Sequence, residues 1–200
     1  MKKLFVLFLS LIFLSQIIFA AASVVTKFPA KEVSGPGPLP YNYRVIDDHI
    51  HVGGHPLNPA TNFKNSDEQA AAILTYLRGQ GVNVVVNLEN TWSIYWRYKR
   101  LLRESGLECL HIPLNSTKAP TEAEWAEIKE AMKEPVYIHC KWGADRTGAI
   151  IARYLVEEKG YTPAQAYQAV ITGGSHAGPL GGLKQGKEYY NLIRFFWPRK

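Results

Sequence analysis

Val136-Tyr137-Ile138-His139-Cys140-Lys141-Trp142-Gly143-Ala144-Asp145-Arg146-Thr147-Gly148 is a short apolar run that ends in a cysteine, followed five residues later by Arg-Thr-Gly. Val136 to His139, set off by Pro135, reads as a buried strand, and Arg146 to Lys159, ended by Gly160, reads as a helix. A strand that delivers the chain to the carboxyl edge of a sheet, with a helix starting just beyond, lets the intervening backbone N–H groups point at one spot. Such a nest, backed by a helix N-terminus, binds a tetrahedral anion. Cys140 lies at its base, where positive potential favours the thiolate. A thiolate so placed attacks phosphorus in line and forms a phosphocysteine. Arg146 offers a planar fork matched to two phosphate oxygens, which a lysine cannot supply. Gly143 permits the tight turn, and Gly148 lets the start of the helix pack closely. Thr147 is expected to hydrogen-bond the Cys140 sulfur and help it leave. His139 is expected to orient the loop through its ring N–H rather than act as a base. Lys141, Trp142, Gly143, Ala144, Asp145 and Arg146 are the expected phosphate and substrate contacts. A lone cysteine before a helix is ordinarily a small buried hydrophobe. Here Cys, Gly, Arg, Thr and Gly all fall where phosphoryl transfer needs them.

Outward from this loop, strands and helices alternate at short intervals. Tyr43 to Val52 reads as two short strands with a turn at Asp47-Asp48, closed by Gly53-Gly54-His55-Pro56. Ser66 and Gln69 form a capping box ahead of Ala70, Ile73, Leu74 and Leu77, which share one helix face up to Gly79. Val82 to Leu88 is a buried strand by its β-branched content. Thr91 to Ser105 is a helix with Ile94, Tyr95, Tyr98, Leu101 and Leu102 on one side and Gly106 as its stop. Glu108 to Ile112 is a further strand. Thr121 and Glu124 cap a helix carrying Trp125, Ile128 and Met132, while Thr162-Pro163 with Gln165 opens another. Tyr189, Leu192, Ile193 and Phe196 mark a last helix. The expected architecture is a single α/β domain: a mostly parallel sheet of four to five strands with helices on both faces.

The Cys140-to-Gly148 pattern, preceded by His139, resembles the loop of the protein tyrosine and dual-specificity phosphatase superfamily. Tyr43 to Pro56 is similar to the paired strands that open its small members, and Leu77 to Leu88 to their helix-to-strand step. The likeness runs from about Tyr43 to Gly174 and implies a dual-specificity-phosphatase-like fold over residues 43–200, with no cofactor and no metal. It is highly specific for the superfamily and poorly specific for substrate.

Two departures matter. The family supplies a general acid, an Asp on a loop ahead of the cysteine, yet His111 to Pro120 contains neither Asp nor Glu. Asp145, placed as in phosphoinositide phosphatases, is the first replacement; Glu122, Glu124 or water are the others. Lys141, directly after the nucleophile, resembles loops of enzymes that act on inositol phosphates. Lys118 on the acid-loop equivalent is a further candidate substrate contact. Arg97, Lys99, Arg100 and Arg103 would extend a basic surface, although a basic helix face is more often only solvated. The expected substrate is an inositol polyphosphate such as inositol hexakisphosphate, as in the tyrosine-phosphatase-like phytases. A tyrosine or dual-specificity protein phosphatase acting on phosphoproteins and a catalytically weak phosphate-binding module remain open.

The 200-residue chain carries a net charge of +6, modest enough to suit an anionic ligand without suggesting a nucleic-acid partner. Lys2-Lys3, the apolar Leu4 to Phe19 and Ala20-Ala21-Ala22 read as a signal peptide over 1–22, so an exported chain, periplasmic or secreted, is expected. No membrane anchor would then remain after cleavage, and a monomer is expected. Residues 23–42, rich in Pro and Gly, read as an extended lead-in. Two cysteines in an exported chain suggest a bridge, so a reversible Cys109–Cys140 disulfide is open. His49-Ile50-His51 with His55 is the one metal-like cluster, with no ligand-spaced partners following it. For the Gly-rich 173–182 segment, a position over the site with His176 contributing to it is an open reading, not the expected one.

Overall fold

The structure is a computed structural model that describes residues 39–171 and 182–198. The leader, most of the lead-in, and all of the 173–182 segment except Gly182, His176 included, lie outside the described residues.

Five strands form one sheet: β1 (Arg44–Ile46), β2 (Ile50–Gly53), β3 (Val84–Asn87), β4 (Glu108–His111) and β5 (Val136–His139), in the order β1-β2-β5-β3-β4. β1 pairs antiparallel with β2, and every other pairing is parallel. The two acidic residues between β1 and β2 turn the chain with positive φ at both Asp47 and Asp48, a conformation that Asp tolerates better than most residues.

Among the described residues, six α-helices cover the sheet: α1 (Asp67–Gly79), α2 (Trp92–Glu104), α3 (Glu122–Ala131), α4 (Asp145–Lys159), α5 (Pro163–Val170) and α6 (Tyr190–Phe196). The period-2 alternation of β5 sorts them. Val136 and Ile138 pack into a core with Trp125 and Ile128 of α3, Ile150 and Ile151 of α4, and residues of α5 and α6. Tyr137 points the other way, into a core with Leu74 and Leu77 of α1 and Tyr98 and Leu101 of α2. Val85 and Val86 divide between the two faces in the same manner. Capping boxes at Ser66, Thr121 and Thr162 are all formed.

Central strand β5 lies between β2 and β3, so its carboxyl end opens where the strand order reverses, the usual crevice for a ligand in such sheets. One helix start departs from the sequence pattern. Thr91 precedes α2 but does not cap it, because its hydroxyl and N–H both go to the Glu89 carboxylate.

The Cys109–Cys140 bridge considered above is ruled out by this topology. Cys109 is on the edge strand β4, in register with Val85 and, through it, Tyr137, while Cys140 lies three residues farther along β5. Strand spacing and rise put the two roughly 14 Å apart, about twice the Cα separation a disulfide tolerates. Both thiols are free.

Candidate active site

β5 stops at His139 because the chain turns out of the sheet into the loop, which the neighbouring strands hold from both sides. Leu88 N–H donates to the His139 carbonyl (2.8 Å) and His55 N–H to the Lys141 carbonyl (3.0 Å). Gly143 takes φ +68°, and any side chain there would strike the backbone carbonyl of Gly53. α4 then begins at Asp145, and Ala144 at its N-cap offers no side-chain acceptor. The first N–H groups of α4 are thus left for an anion rather than used up by a cap. Cys140, 2 % exposed, lies at the base of this loop.

Arg146 is fixed by three acceptors. Its Nη1 donates to the carbonyls of Leu88 (3.2 Å) and Leu114 (3.0 Å), and its Nη2 to Glu89 Oε2 (3.0 Å). A guanidinium has five N–H donors, so Nε–H and one Nη2–H remain on a common edge, the fork that takes two phosphate oxygens. Burial works against its charge, but Cys140 and Glu89 outweigh burial and raise its pKa.

His139 is fully buried, and burial pushes its pKa down to about 3. Its neutral ring can donate from Nδ1 to the Cys140 carbonyl (3.2 Å) while Nε2 accepts from the Tyr98 hydroxyl (3.0 Å). Burial holds the Tyr98 pKa well above its ordinary value, so that hydroxyl remains a donor. This tautomer is the one the partners require, since a carbonyl can only accept. The ring therefore orients the loop and has no proton to lend to chemistry.

Thr147 departs from expectation. Its Oγ1 is buried without a hydrogen-bond partner, so the bond to the Cys140 sulfur is not made. As a β-branched residue in the first turn of α4 it has few rotamers to choose from.

Asp145 accepts the Lys184 N–H at Oδ1 (2.7 Å), tying the loop to the chain that follows α5. Glu122 pairs with Arg153, and Glu124 completes its capping box and meets Lys118 (3.3 Å). Arg153 holds the Glu122 carboxyl below the ordinary range, and the Thr121 N–H does so for Glu124. Neither is suited to carry a proton near neutrality. Lys118 is directed to Glu124 rather than to the loop. The Lys141 ammonium lies over the Phe63 ring, 5.2 Å from its centroid. Trp142 meets Tyr41 edge-to-face at 5.3 Å.

Four contributors escaped sequence reasoning. Glu89 fixes Arg146, and Tyr98 fixes His139. Asn42, at the end of the stretch read as a lead-in, donates to the carbonyls of Trp142 (3.4 Å) and Gly143 (3.2 Å). Arg44 on β1, fully buried, donates from Nη1 to the Asn42 carbonyl (2.8 Å) and leaves Nε and Nη2 without partners. Burial lowers its pKa to about 10, with Cys140 and Tyr137 acting to raise it. Of the four, Glu89 had a signal: an acid directly after a buried β-branched strand.

The three histidines considered for a metal have structural partners. His49 bridges the carbonyls of Asp47 and Met132, His51 Nδ1 meets the Tyr43 hydroxyl (2.6 Å), and His55 accepts the Leu57 N–H (3.1 Å). Among the described residues, no three His, Cys, Asp or Glu side chains gather as a metal site. A nucleophilic sulfur, a nest of N–H groups and a fixed guanidinium are a set for displacement at a tetrahedral phosphate.

Known proteins resemble this chain in sequence and in fold. Residues 62–160 match a sequence model described as "Polymorphic toxin system, DSP-PTPase phosphatase". The chain is 25% identical over 170 residues to the mouse "Phosphatidylglycerophosphatase and protein-tyrosine phosphatase 1", spanning 82% of each. It is 27% identical over 188 residues to the human protein of that name, spanning 90% of this chain and 88% of that one. Among solved structures, Pseudomonas aeruginosa TpbA, in a cysteine-to-serine form in complex with pTyr, superposes with a TM-score of 0.57 at 17% identity. That superposition covers 86% of this chain and 90% of TpbA. PTPMT1 superposes with a TM-score of 0.54 at 21% identity, covering 77% and 93%. At these identities the two structures establish a shared fold; the sequence relatives and the loop carry the rest. The sequence model, the relatives and the shared fold together support placing the chain in the cysteine-dependent protein tyrosine and dual-specificity phosphatase superfamily, as a cysteine-dependent phosphatase.

Proposed function

We propose that the substrate is a phosphomonoester of an inositol-type polyol, with inositol polyphosphates as its soluble form. The observation that carries this is Lys141, which adds a cation directly beside the nucleophile, over Phe63 at the rim of the loop. Arg97 and Arg100 do not add to it, because both are engaged by Asp67. The support from relatives is of the same kind: the mouse and human proteins are named for a phosphatidylglycerophosphatase, and PTPMT1 has been solved with PI(5)P. Catalysis would run by attack of Cys140 Sγ on phosphorus, with the phosphoryl oxygens held by the loop N–H groups and the Arg146 fork. The leaving oxygen would take a proton from Asp145, and water would then cleave the phosphocysteine.

A second reading, a phosphotyrosine phosphatase, is favoured by the Tyr41–Trp142 aromatic pair at the loop and by the TpbA complex with pTyr. Phosphate release from inositol hexakisphosphate, PI(5)P and phosphotyrosine peptides, with Cys140→Ser as the blank, tests the two. Turnover of the peptides with none on the inositol series would overturn the first reading. Export is proposed on the composition of Met1 to Ala22 alone, and N-terminal sequencing of the mature chain checks it.

A further inference from the structure

The outer stripe of α2 carries two of the three exposed large hydrophobic side chains among the described residues. Trp92 and Trp96 are 63% and 71% exposed, against the burial normal for residues of that size. Neither indole N–H has a hydrogen-bond partner among the described residues. Residues 92, 96, 99 and 103 recur at helical spacing and so share one stripe, two tryptophans followed by Lys99 and Arg103. Tyr98, Leu101 and Leu102 occupy the opposite, buried side. The Lys99 ammonium lies 5.5 Å from the Trp96 ring centroid. Among the described residues, neither Lys99 nor Arg103 has a carboxylate within ion-pair distance, whereas Arg97 and Arg100 on the flank are engaged by Asp67.

Beside this stripe, a groove of about 590 Å³ runs between α2 and the edge strand β4. Its floor is Leu102, Leu107 and Cys109, and its rim is Trp96, Lys99, Arg103 and Arg100, the last of which is ion-paired with Asp67 and Glu104. Burial pushes the Cys109 thiol up to about 11, so the floor is uncharged near neutrality. Apolar floor, indole rings and unpaired cations in that order suit an amphiphile whose tail is apolar and whose head is anionic. Tryptophan stabilises membrane interfaces because one edge of the ring is apolar and the other can be wet. Basic side chains add attraction to anionic lipid. The stripe also starts at the active site, since Trp92 follows Thr91, whose N–H and hydroxyl hold the Glu89 that fixes Arg146.

We propose that this face of α2 docks on an anionic phospholipid bilayer, with Trp92 and Trp96 in the interface and Lys99 and Arg103 at the headgroups. Among the described residues no helix is long and apolar enough to cross a membrane, so the contact is a surface one. Docking would bring a phosphorylated headgroup toward Cys140. That last step rests on the polyol-phosphate reading above, but the docking itself does not.

The test is co-sedimentation of the full chain with vesicles of phosphatidylcholine alone and of an equimolar mixture with phosphatidylglycerol. Lys2-Lys3 and the apolar Leu4 to Phe19 run are common to all variants, so the comparison between variants is unaffected by them. Wild type is expected to partition preferentially onto the anionic vesicles. Lys99→Ala/Arg103→Ala should lower that partition about 30-fold at low salt, from the contribution of two basic residues near the surface. Trp96→Ala should lower it on either lipid, and both variants should keep wild-type turnover of a soluble aryl phosphate, which reports folding. Equal partition of wild type and the double variant, or no preference for the anionic vesicles, overturns the proposal. Vesicle binding without cleavage of inositol phosphates would leave docking standing and remove the substrate reading. Cleavage of soluble inositol phosphates without vesicle binding would do the reverse.

Discussion

Glu89 Oε2 lies 3.0 Å from Nη2 of Arg146, and both side chains are nearly out of solvent, at 4% and 13% exposure. Burying such a pair is favourable only when the remaining polar atoms are also satisfied. Glu89 Oε1 takes the Thr91 N–H and hydroxyl and Arg146 Nη1 reaches two carbonyls, which leaves only the Nε–H and one Nη2–H of the fork for substrate. The pair therefore sets the direction of the fork before substrate arrives. Glu89→Gln should keep the shape, lose the charge and lower kcat/KM about 100-fold, the scale of a misplaced reacting group. Glu89→Ala leaves an uncompensated buried guanidinium and should also cost about 3–5 kcal/mol in stability. Steady-state kinetics with an aryl phosphate and urea unfolding separate the two effects. Wild-type kcat/KM in Glu89→Gln would show that the carbonyls of Leu88 and Leu114 suffice.

Why Cys140 was legible and Glu89 was not is a matter of range. Every requirement of the loop is local: a strand, a turn that only Gly143 permits, and a helix start, all within a dozen residues. The strands and capping boxes are local too, so their period and end signals appear in the chain. Glu89, just past β3, Tyr98 on α2 and Asn42, just ahead of β1, meet partners tens of residues away, and Arg44 braces the loop only through Asn42. Such contacts depend on strand order, which places β5 between β2 and β3. Thr147 shows the opposite limit. Its position in the motif predicts a bond to sulfur, but its buried hydroxyl makes no hydrogen bond.

Asp145 has two possible tasks, and leaving-group dependence tells them apart. Its Oδ1 already holds the Lys184 N–H, a structural use that Asp145→Asn preserves, because an amide oxygen also accepts. A general acid matters most when the leaving oxygen is basic. Asp145→Asn should therefore lower kcat about 100-fold on an alkyl or polyol phosphate and change it little on an aryl phosphate with an acidic phenol. Equal losses on both substrates would assign Asp145 to holding the 184 segment.

Stability should fall in mild acid, before most carboxylates titrate. Burial pushes the pKa of His51 down to about 4 and that of His139 to about 3, and lowers that of His55 as well. In the unfolded chain each takes up a proton near 6.5. Acid thus favours the unfolded state: the stabilisation is complete above pH 6.5 and is lost as the pH falls toward 4. The slope approaches about 1.4 kcal/mol per pH unit for each histidine. The urea midpoint should drop between pH 7 and pH 5, and His51→Gln, which still offers the Tyr43 hydroxyl an acceptor, should flatten the drop. A constant midpoint over that range would contradict the assignment.

Asn42 and Arg44 brace the loop from behind, and a substitution that respects the backbone can isolate the brace. Asn42 has φ +52°, so alanine would add backbone strain while glycine would not. Asn42→Gly removes the bonds to the Trp142 and Gly143 carbonyls and should cost about 1–2 kcal/mol in stability. Because those bonds hold the loop in its anion-binding shape, inhibition by inorganic phosphate should weaken about tenfold, the equivalent of 1.4 kcal/mol of lost preorganisation. Arg44→Lys keeps a buried cation but loses the planar reach to the Asn42 carbonyl, so it should weaken phosphate inhibition to a similar degree. If the two act through one brace, the double variant should be no worse than either single one, whereas independent effects would multiply. Competitive inhibition constants for the four proteins complete the cycle, and multiplicative losses would separate Arg44 from the loop.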